Sequence, residues 1–201
     1  MIKVNTSTLE ATREDLPKYL VGLDEHTLQN LQSIADPVPP HLIDTEYWPE
    51  QDKTPSFDER THTLGDEVLT ADAGTKTVSV VRARTRKAKG EVARYCRTMV
   101  SDRMNQELNK EVEIGGVMTS RAELMENRDL LDGSAASDLN LKDGTIRLTK
   151  AQQVSIANGL RSRHRASHKR AHAIIGLIKA ASTGIAMIAV LDAEIDRGWS
   201  A

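Results

Sequence analysis

Proline is concentrated in one short stretch of this chain. Five of its six prolines lie within residues 36–57, which read DPVPPHLIDTEYWPEQDKTPSF. Proline lacks a backbone N–H donor and disfavours helix at the residue before it. The stretch is therefore predicted to be an extended connector between a short N-terminal region and the remainder of the chain.

Three aromatic side chains, Tyr47, Trp48 and Phe57, lie in this connector. An extended arm with aromatic anchors suits docking onto another protein surface, so the three are predicted as interface residues. The alternative is that the rings pin the arm to its own domain.

Two short helices are predicted before the connector. Thr12 with Asp15 resembles a helix start, and Asp24 is placed to cap a second helix through EHTLQNLQSIA. The second helix has apolar residues at helical spacing, which gives it one buried face. Those residues are Leu28, Leu31 and Ile34.

A β-hairpin is predicted over residues 61–84. Its two strands flank Asp72-Ala73-Gly74, where glycine supplies the positive φ that a tight turn needs, and alternation is clearest at Val78 and Val80. A lone hairpin is marginal in water, so another element must cover one face. A long helix is expected over 85–110.

The C-terminal part begins with a short strand and turn, VEIGGVMTS. Ser120 and Glu123 form a capping-box pattern that opens a helix, which Gly133 would close. A polar loop is expected up to Lys142, followed by an Asp143-Gly144 turn and a strand at TIRLT.

Two long helices are predicted to end the chain. Thr149 with Gln152 is a second capping box, opening a helix to about residue 181, and Gly184 interrupts the run before a final helix. The two helices carry more apolar residues than packing against each other would bury, which suggests association between copies of the chain. The predicted interface residues are Ile175, Ile178 and Leu191.

Composition favours a helical core and argues against several classes of partner. Aromatic residues make up only 3% of the chain, and the formal net charge is −2, so neither nucleic acid nor an anionic membrane is favoured globally. The start MIKVNTSTLE has no secretory h-region, and 171–191 is too polar for a membrane span. Cys96 is the only cysteine, which excludes an intrachain disulfide.

A basic run occupies residues 161–170 and reads RSRHRASHKR. It suggests contact with phosphates or an acidic protein surface. The run has no interleaved aromatics for base stacking, so a solvated helix flank is the preferred interpretation and nucleic-acid binding is the alternative.

Three histidines recur every fourth residue within and just beyond this run: His164, His168 and His172. This spacing places them along one side of a helix, where imidazoles can hold a metal. The apolar stripe of the helix drifts through the first two, so polar-edged core or interface positions are preferred. No metal or other cofactor is predicted.

No sequence pattern indicates an enzyme. Cys96 lies in YCRTM without a nucleophile signature, and the chain has no phosphate loop, dinucleotide glycine pattern, HExxH or GxSxG motif.

The C-terminal part resembles a domain of uncharacterised function found in phage tail-fibre-associated and virion proteins. The matching parts, in order, are a V-x-G-V hairpin at 112–118, a Ser-Arg helix at 120–131, a strand ending in a threonine cap at 145–149, and a closing helix at 150–181. The N-terminal part resembles such proteins in a second set of motifs. These are LPxxLxGL at 16–23, a Trp-Pro pair at 48–49 and a D-x-x-T-x-x-L segment at 58–64 that leads into the hairpin.

The resemblance implies a non-enzymatic tail protein of a bacteriophage, acting at the baseplate or at the attachment of the tail fibre. Its expected partners are other tail, baseplate or fibre subunits and copies of itself, and its expected location is the virion, after synthesis in the host cytoplasm. The alternative is a fibre-assembly chaperone that leaves before maturation. The expected fold is α+β, with regions 1–57, 58–110 and 111–201: N-terminal helices and arm, hairpin and long helix, and a mainly helical C-terminal half with a short strand pair.

Overall fold

The computed structural model describes residues 1–35, 37–127, 136–141 and 143–199. It has the expected α+β composition, with small sheets and helices in separate stretches of the chain. The chain divides into two compact units, Met1–Arg86 and Lys87–Ala201. The region 58–110 is split by this division, because its hairpin belongs to the first unit and its helix to the second.

The N-terminal unit contains two three-stranded sheets. The first has the order β2-β1-β3, formed by β1 (Ile2–Asn5), β2 (Ala11–Thr12) and β3 (Thr45–Trp48), all antiparallel. The second has the order β4-β6-β5, formed by β4 (Glu50–Asp52), β5 (His62–Asp72) and β6 (Thr77–Arg86). The hairpin β5–β6 is the predicted one, but the positive φ of its turn lies at Lys76 and not at Gly74, so that part of the prediction is wrong. β4 runs parallel to β6.

Residues of both sheets share one apolar cluster, which covers one face of the hairpin as expected. Val78 and Val80, the positions where alternation is clearest, are buried in it. The other buried members are Ile2, Val4 and Trp48.

The N-terminal helices are shorter than predicted. Asp24 does cap a helix, accepting a hydrogen bond from the Thr27 backbone N–H at 2.8 Å. That helix ends at Asn30, giving α1 (Glu25–Gln29) and α2 (Leu31–Ile34) in place of one continuous helix. The predicted helix start at Thr12 is wrong, because Thr12 lies in β2 and pairs with β1.

The Pro-rich connector is not a free arm. It contributes a 3₁₀ turn (Pro40–Leu42) and then β3 and β4, and β3 is fully integrated beside β1. The prolines lie outside the residues of β3, so that strand keeps its N–H donors for the sheet. Extended backbone was predicted correctly, whereas its incorporation into a sheet was not.

The C-terminal unit alternates hairpins with helices. Its elements are α3 (Lys89–Leu108), β7 (Glu111–Ile114), β8 (Val117–Ser120), α4 (Arg121–Glu126), β9 (Ser137–Leu141), β10 (Gly144–Leu148), α5 (Lys150–Ala180) and α6 (Gly184–Glu194). β7 pairs with β8 and β9 with β10, both antiparallel. The predicted helix end at Gly133 and the loop end at Lys142 lie outside the described residues.

The strand β9 was not predicted, because SDLNL was interpreted as part of a polar loop. Leu139 and Leu141 alternate with polar residues and are buried, so period-two alternation was the available signal.

The helix α5 organises this unit. Its cap is the predicted box: the side chains of Thr149 and Gln152 each accept from the other's backbone N–H. Its N-terminal half packs against β9, β10 and α4 through Ala157 and Leu160. Its C-terminal half packs against α3 and α6 through Ala171, Ile174 and Ile178.

The break predicted at Gly184 is confirmed, since α6 begins there with Thr183 as its cap. A Cβ at Gly184 would meet a Val92 side-chain carbon at 3.0 Å, so the glycine lets α6 approach α3 closely. No helix in the described parts of the chain is long and apolar enough to cross a membrane.

Candidate interaction surfaces

The three histidines lie on α5, as their spacing predicted. The His164 and His168 rings are 4.4 Å apart between centroids and tilted by 43°. Burial lowers the pKa of His168, and repulsion from His164 and His172 lowers it further. Within the described ranges, no group of three or more His, Cys, Asp or Glu side chains is arranged to hold a metal ion.

One cation of the basic run has a structural role. The Arg170 guanidinium donates to the backbone oxygens of Arg197 at 2.8 Å and Glu194 at 2.9 Å, and to the Glu194 carboxylate at 2.6 Å. The last carbonyls of a helix lack partners within it, so this arginine caps the end of α6. Arg163, Arg165 and Lys169 are exposed on the same helix.

Two of the three aromatic residues predicted as docking anchors occupy interior positions. Tyr47 and Trp48 are 3% and 2% exposed in the core of the N-terminal unit, and Phe57 is partly buried. The Trp48 indole donates to the Glu46 carboxylate at 2.9 Å. At Tyr47 and Trp48 this corresponds to the alternative interpretation, in which the rings pin the segment to its own domain.

The buried Glu46 carboxylate forms an ion pair with the partly exposed Lys76, which the sequence pattern did not reveal. The Lys76 ammonium donates to it at 3.0 Å and also to the Gln29 backbone oxygen and the Asn30 side chain, at 2.7 and 2.9 Å. Lys76 has φ +49°, in the turn that follows β5. The turn of the hairpin is thereby tied to the end of α1.

The apolar residues predicted as an interface between copies are covered within the chain. Ile178 and Leu191 are buried with α3, and Ile175 is partly buried against the same cluster. The surplus of apolar residues on the last two helices therefore has a third helix as its partner. The sequence pattern did not reveal that α3 would pack there.

An open groove lies in the C-terminal unit between the strand β7 and the N-terminal half of α5. It encloses about 310 Å³. Its lining residues are Val112, Glu113, Ile114, Leu124, Ser155, Ile156, Gly159, Leu160 and Arg163.

Both walls of this β7–α5 groove have distinctive features. Val112, Glu113 and Ile114 are consecutive, and alternate side chains of a strand point to opposite faces, so β7 contributes its edge. In the described residues β7 pairs with β8 alone, which leaves this edge without a neighbouring strand. On the helix side, the lining residues from Ser155 to Arg163 span about 12 Å at the usual helical rise.

Comparisons with known proteins found no relative of this chain. A scan against family models and searches of curated proteins and solved structures all return no match to this chain.

Proposed function

We propose that this chain is a non-enzymatic structural subunit of a bacteriophage tail, which joins baseplate or tail-fibre subunits by protein–protein binding. The phage context is supported by the motif order of the C-terminal half, which resembles domains of tail-fibre-associated proteins. The mechanism is supported by one structural observation, the β7–α5 groove with its free strand edge.

A strand edge beside a helix is suited to recognition of an extended protein segment. Unpaired backbone groups of the edge bind the main chain of the partner, and an adjacent pocket selects a side chain. The groove offers both, since β7 supplies the edge and aliphatic residues of α4 and α5 supply the pocket.

The positions of the reactive side chains support binding in preference to catalysis. Cys96 is buried in the apolar cluster of the three helices. Two buried carboxylates are engaged in ion pairs, Glu46 with Lys76 and Glu107 with Lys110, at 3.0 and 2.9 Å. None of these groups lines the β7–α5 groove.

The proposal is tested by quantitative mass spectrometry of purified phage particles, with the chain counted against the major tail subunits. We expect a fixed stoichiometric ratio that persists through a second purification step. Absence from particles combined with abundance in infected cells would overturn the virion proposal and favour the assembly chaperone.

A further inference from the structure

We infer that the β7–α5 groove binds an extended segment of a partner protein that adds to the free edge of β7, inserts one aliphatic side chain and places a carboxylate at Arg163. The inference rests on the proposed function and specifies the chemistry of its partner. Four features of the groove carry it.

The first feature is the size and chemistry of the pocket. Its apolar lining is purely aliphatic, and its 310 Å³ is at the low end of the range for small-molecule sites. It therefore suits one aliphatic side chain with its flanking backbone. The apolar lining residues are Val112, Ile114, Leu124, Ile156 and Leu160.

The second feature is the free edge of β7. An unpaired strand edge is a ready template for another strand, and proteins usually blunt such edges with charge, proline or a covering element. β7 carries charge at the exposed Glu111 and Glu113, but it has no proline and no described strand pairs with its outer edge. Main-chain pairing at this edge would hold the partner segment extended, so that every second side chain of that segment faces the helix.

The third feature is Gly159, which lies on α5 where the helix lines the groove. Glycine in a helix interior costs about 0.5–1 kcal/mol relative to alanine. A Cβ at Gly159 would meet no atom of the described residues within 4 Å, so packing against them does not require the glycine. The missing side chain instead keeps the groove open.

The fourth feature is charge. Arg163 lines one end of the groove and is exposed. Among the described residues that line the groove, Glu113 is the only acid. An arginine binds a carboxylate by charge-assisted, often bidentate hydrogen bonds. The partner segment is therefore expected to be acidic beside its aliphatic residue.

The structure provides a matched pair of variants for the test. Gly176 lies on the same helix and is exposed, and a Cβ there would also meet no atom within 4 Å, but this glycine does not line the groove. Gly159→Leu places a side chain in the groove, whereas Gly176→Leu places one outside it. Both substitutions improve helix propensity, so circular dichroism should show both variants folded.

The probe is a library of random eight-residue peptides, selected on beads against the full-length chain. We expect the selected peptides to share an aliphatic residue with Asp or Glu within four positions. In fluorescence-polarisation titrations, Gly159→Leu should weaken binding of these peptides at least tenfold and Gly176→Leu less than twofold. Arg163→Gln should also weaken it and reduce its dependence on salt.

Three results would overturn the inference. One is selected peptides without the aliphatic–acidic pattern, and another is equal binding by the two leucine variants. The third is a wild-type oligomer whose mass in light scattering falls to that of a monomer in Gly159→Leu alone, which would assign the groove to a second copy of this chain.

Incorporation of the wild-type chain and of Gly159→Leu into phage particles distinguishes a failure of this inference from a failure of the proposed function. If the wild-type chain is present at a fixed ratio and Gly159→Leu is incorporated equally well, the groove inference fails and the tail assignment stands. If the wild-type chain is absent from particles, the tail assignment fails. Peptide binding by the leucine variants then still decides whether the groove binds the proposed segment.

Discussion

The two halves of α5 bury the same kind of stripe in different surroundings. Buried residues recur at alternating spacings of three and four along much of the helix, as in a coiled-coil seam. In the C-terminal half, Ile174 and Ile178 are fully enclosed by α3 and α6. In the N-terminal half, Ala157 and Leu160 pack on strands, and the groove opens beside them.

The difference shows what an apolar stripe can and cannot reveal. Its spacing identifies the face of the helix that is buried, but the covering element is decided by distant parts of the chain. At the C-terminal half a third helix closes the face. At the N-terminal half the groove lies beside the helix, and no described strand pairs with the outer edge of β7.

The largest change in the free energy of unfolding is expected when a fully buried residue of α5 is truncated, compared with truncation of a residue that lines the groove. Ile174→Ala removes a side chain with no exposure and should lower the free energy of unfolding by about 2–5 kcal/mol. Ile156→Ala removes a partly buried groove residue and should cost less than half as much. Urea unfolding followed by circular dichroism measures both, and equal losses would contradict the contrast.

The second-largest effect is expected at Arg170, whose hydrogen bonds join the C-terminal half of α5 to the end of α6. Arg170→Met removes the donor to the Glu194 carboxylate and to two carbonyls at the end of α6, and should cost about 1.5–3 kcal/mol. Hydrogen exchange should increase at the C-terminal end of α6 in this variant. Lys169→Met, which removes an exposed neighbouring cation, is the control and should leave that exchange unchanged.

A smaller effect of opposite sign, an increase in the free energy of unfolding, is expected at Ser167, which lies between the two halves of α5. Ser167 has no exposure, and its hydroxyl has no hydrogen-bond partner in the described residues. Ser167→Ala should therefore raise the free energy of unfolding by about 1 kcal/mol, through removal of an unsatisfied group and better helix propensity. A loss of stability in urea unfolding would mean that the hydroxyl does have a partner.

The smallest effect is a pH dependence at His168. Its pKa in the folded chain lies below the ordinary 6.5, so the unfolded chain binds the proton more tightly. The stability linked to the neutral His168 should be fully present above pH 6.5 and should fall as the pH drops below it. His168→Gln should reduce the loss measured between about pH 7.5 and 5.5, whereas His26→Gln, on α1, is the control for removal of one imidazole.

Local signals in the sequence predicted much of the fold. The caps at Asp24 and Thr149, the helix break at Gly184 and the hairpin after Asp72 depend on residues within a few positions of one another, although the positive φ of the hairpin turn lies at Lys76. Their geometry is therefore present in the sequence itself. The limits of α5 were predicted to within one residue for the same reason, whereas α3, which begins without a side-chain cap, was predicted to start four residues too early.

Long-range pairing was not predictable from those signals. β3 lies beside β1, some forty residues earlier in the chain. Ile2 and Val4 alternate with polar residues in β1, but that strand is only four residues long, and β3 is buried at all four positions and does not alternate. The predicted docking aromatics Tyr47 and Trp48 are buried because of that pairing. The groove was missed for a related reason, since it combines an unpaired strand edge with a glycine on a helix about forty-five residues later.

The continuity of α5 also has a mechanical consequence. The helix has 31 residues and no proline, so it is a rod about 46 Å long at a rise of about 1.5 Å per residue. Gly159 and Ile178 lie about 28 Å apart along its axis. A load applied by a segment bound in the groove would travel along this rod to the three-helix cluster, where Arg170 and Glu194 join the helix to α6. If the groove binds a partner segment as proposed, the C-terminal unit would act as a strut, with the binding site towards one end of α5 and the three-helix cluster towards the other.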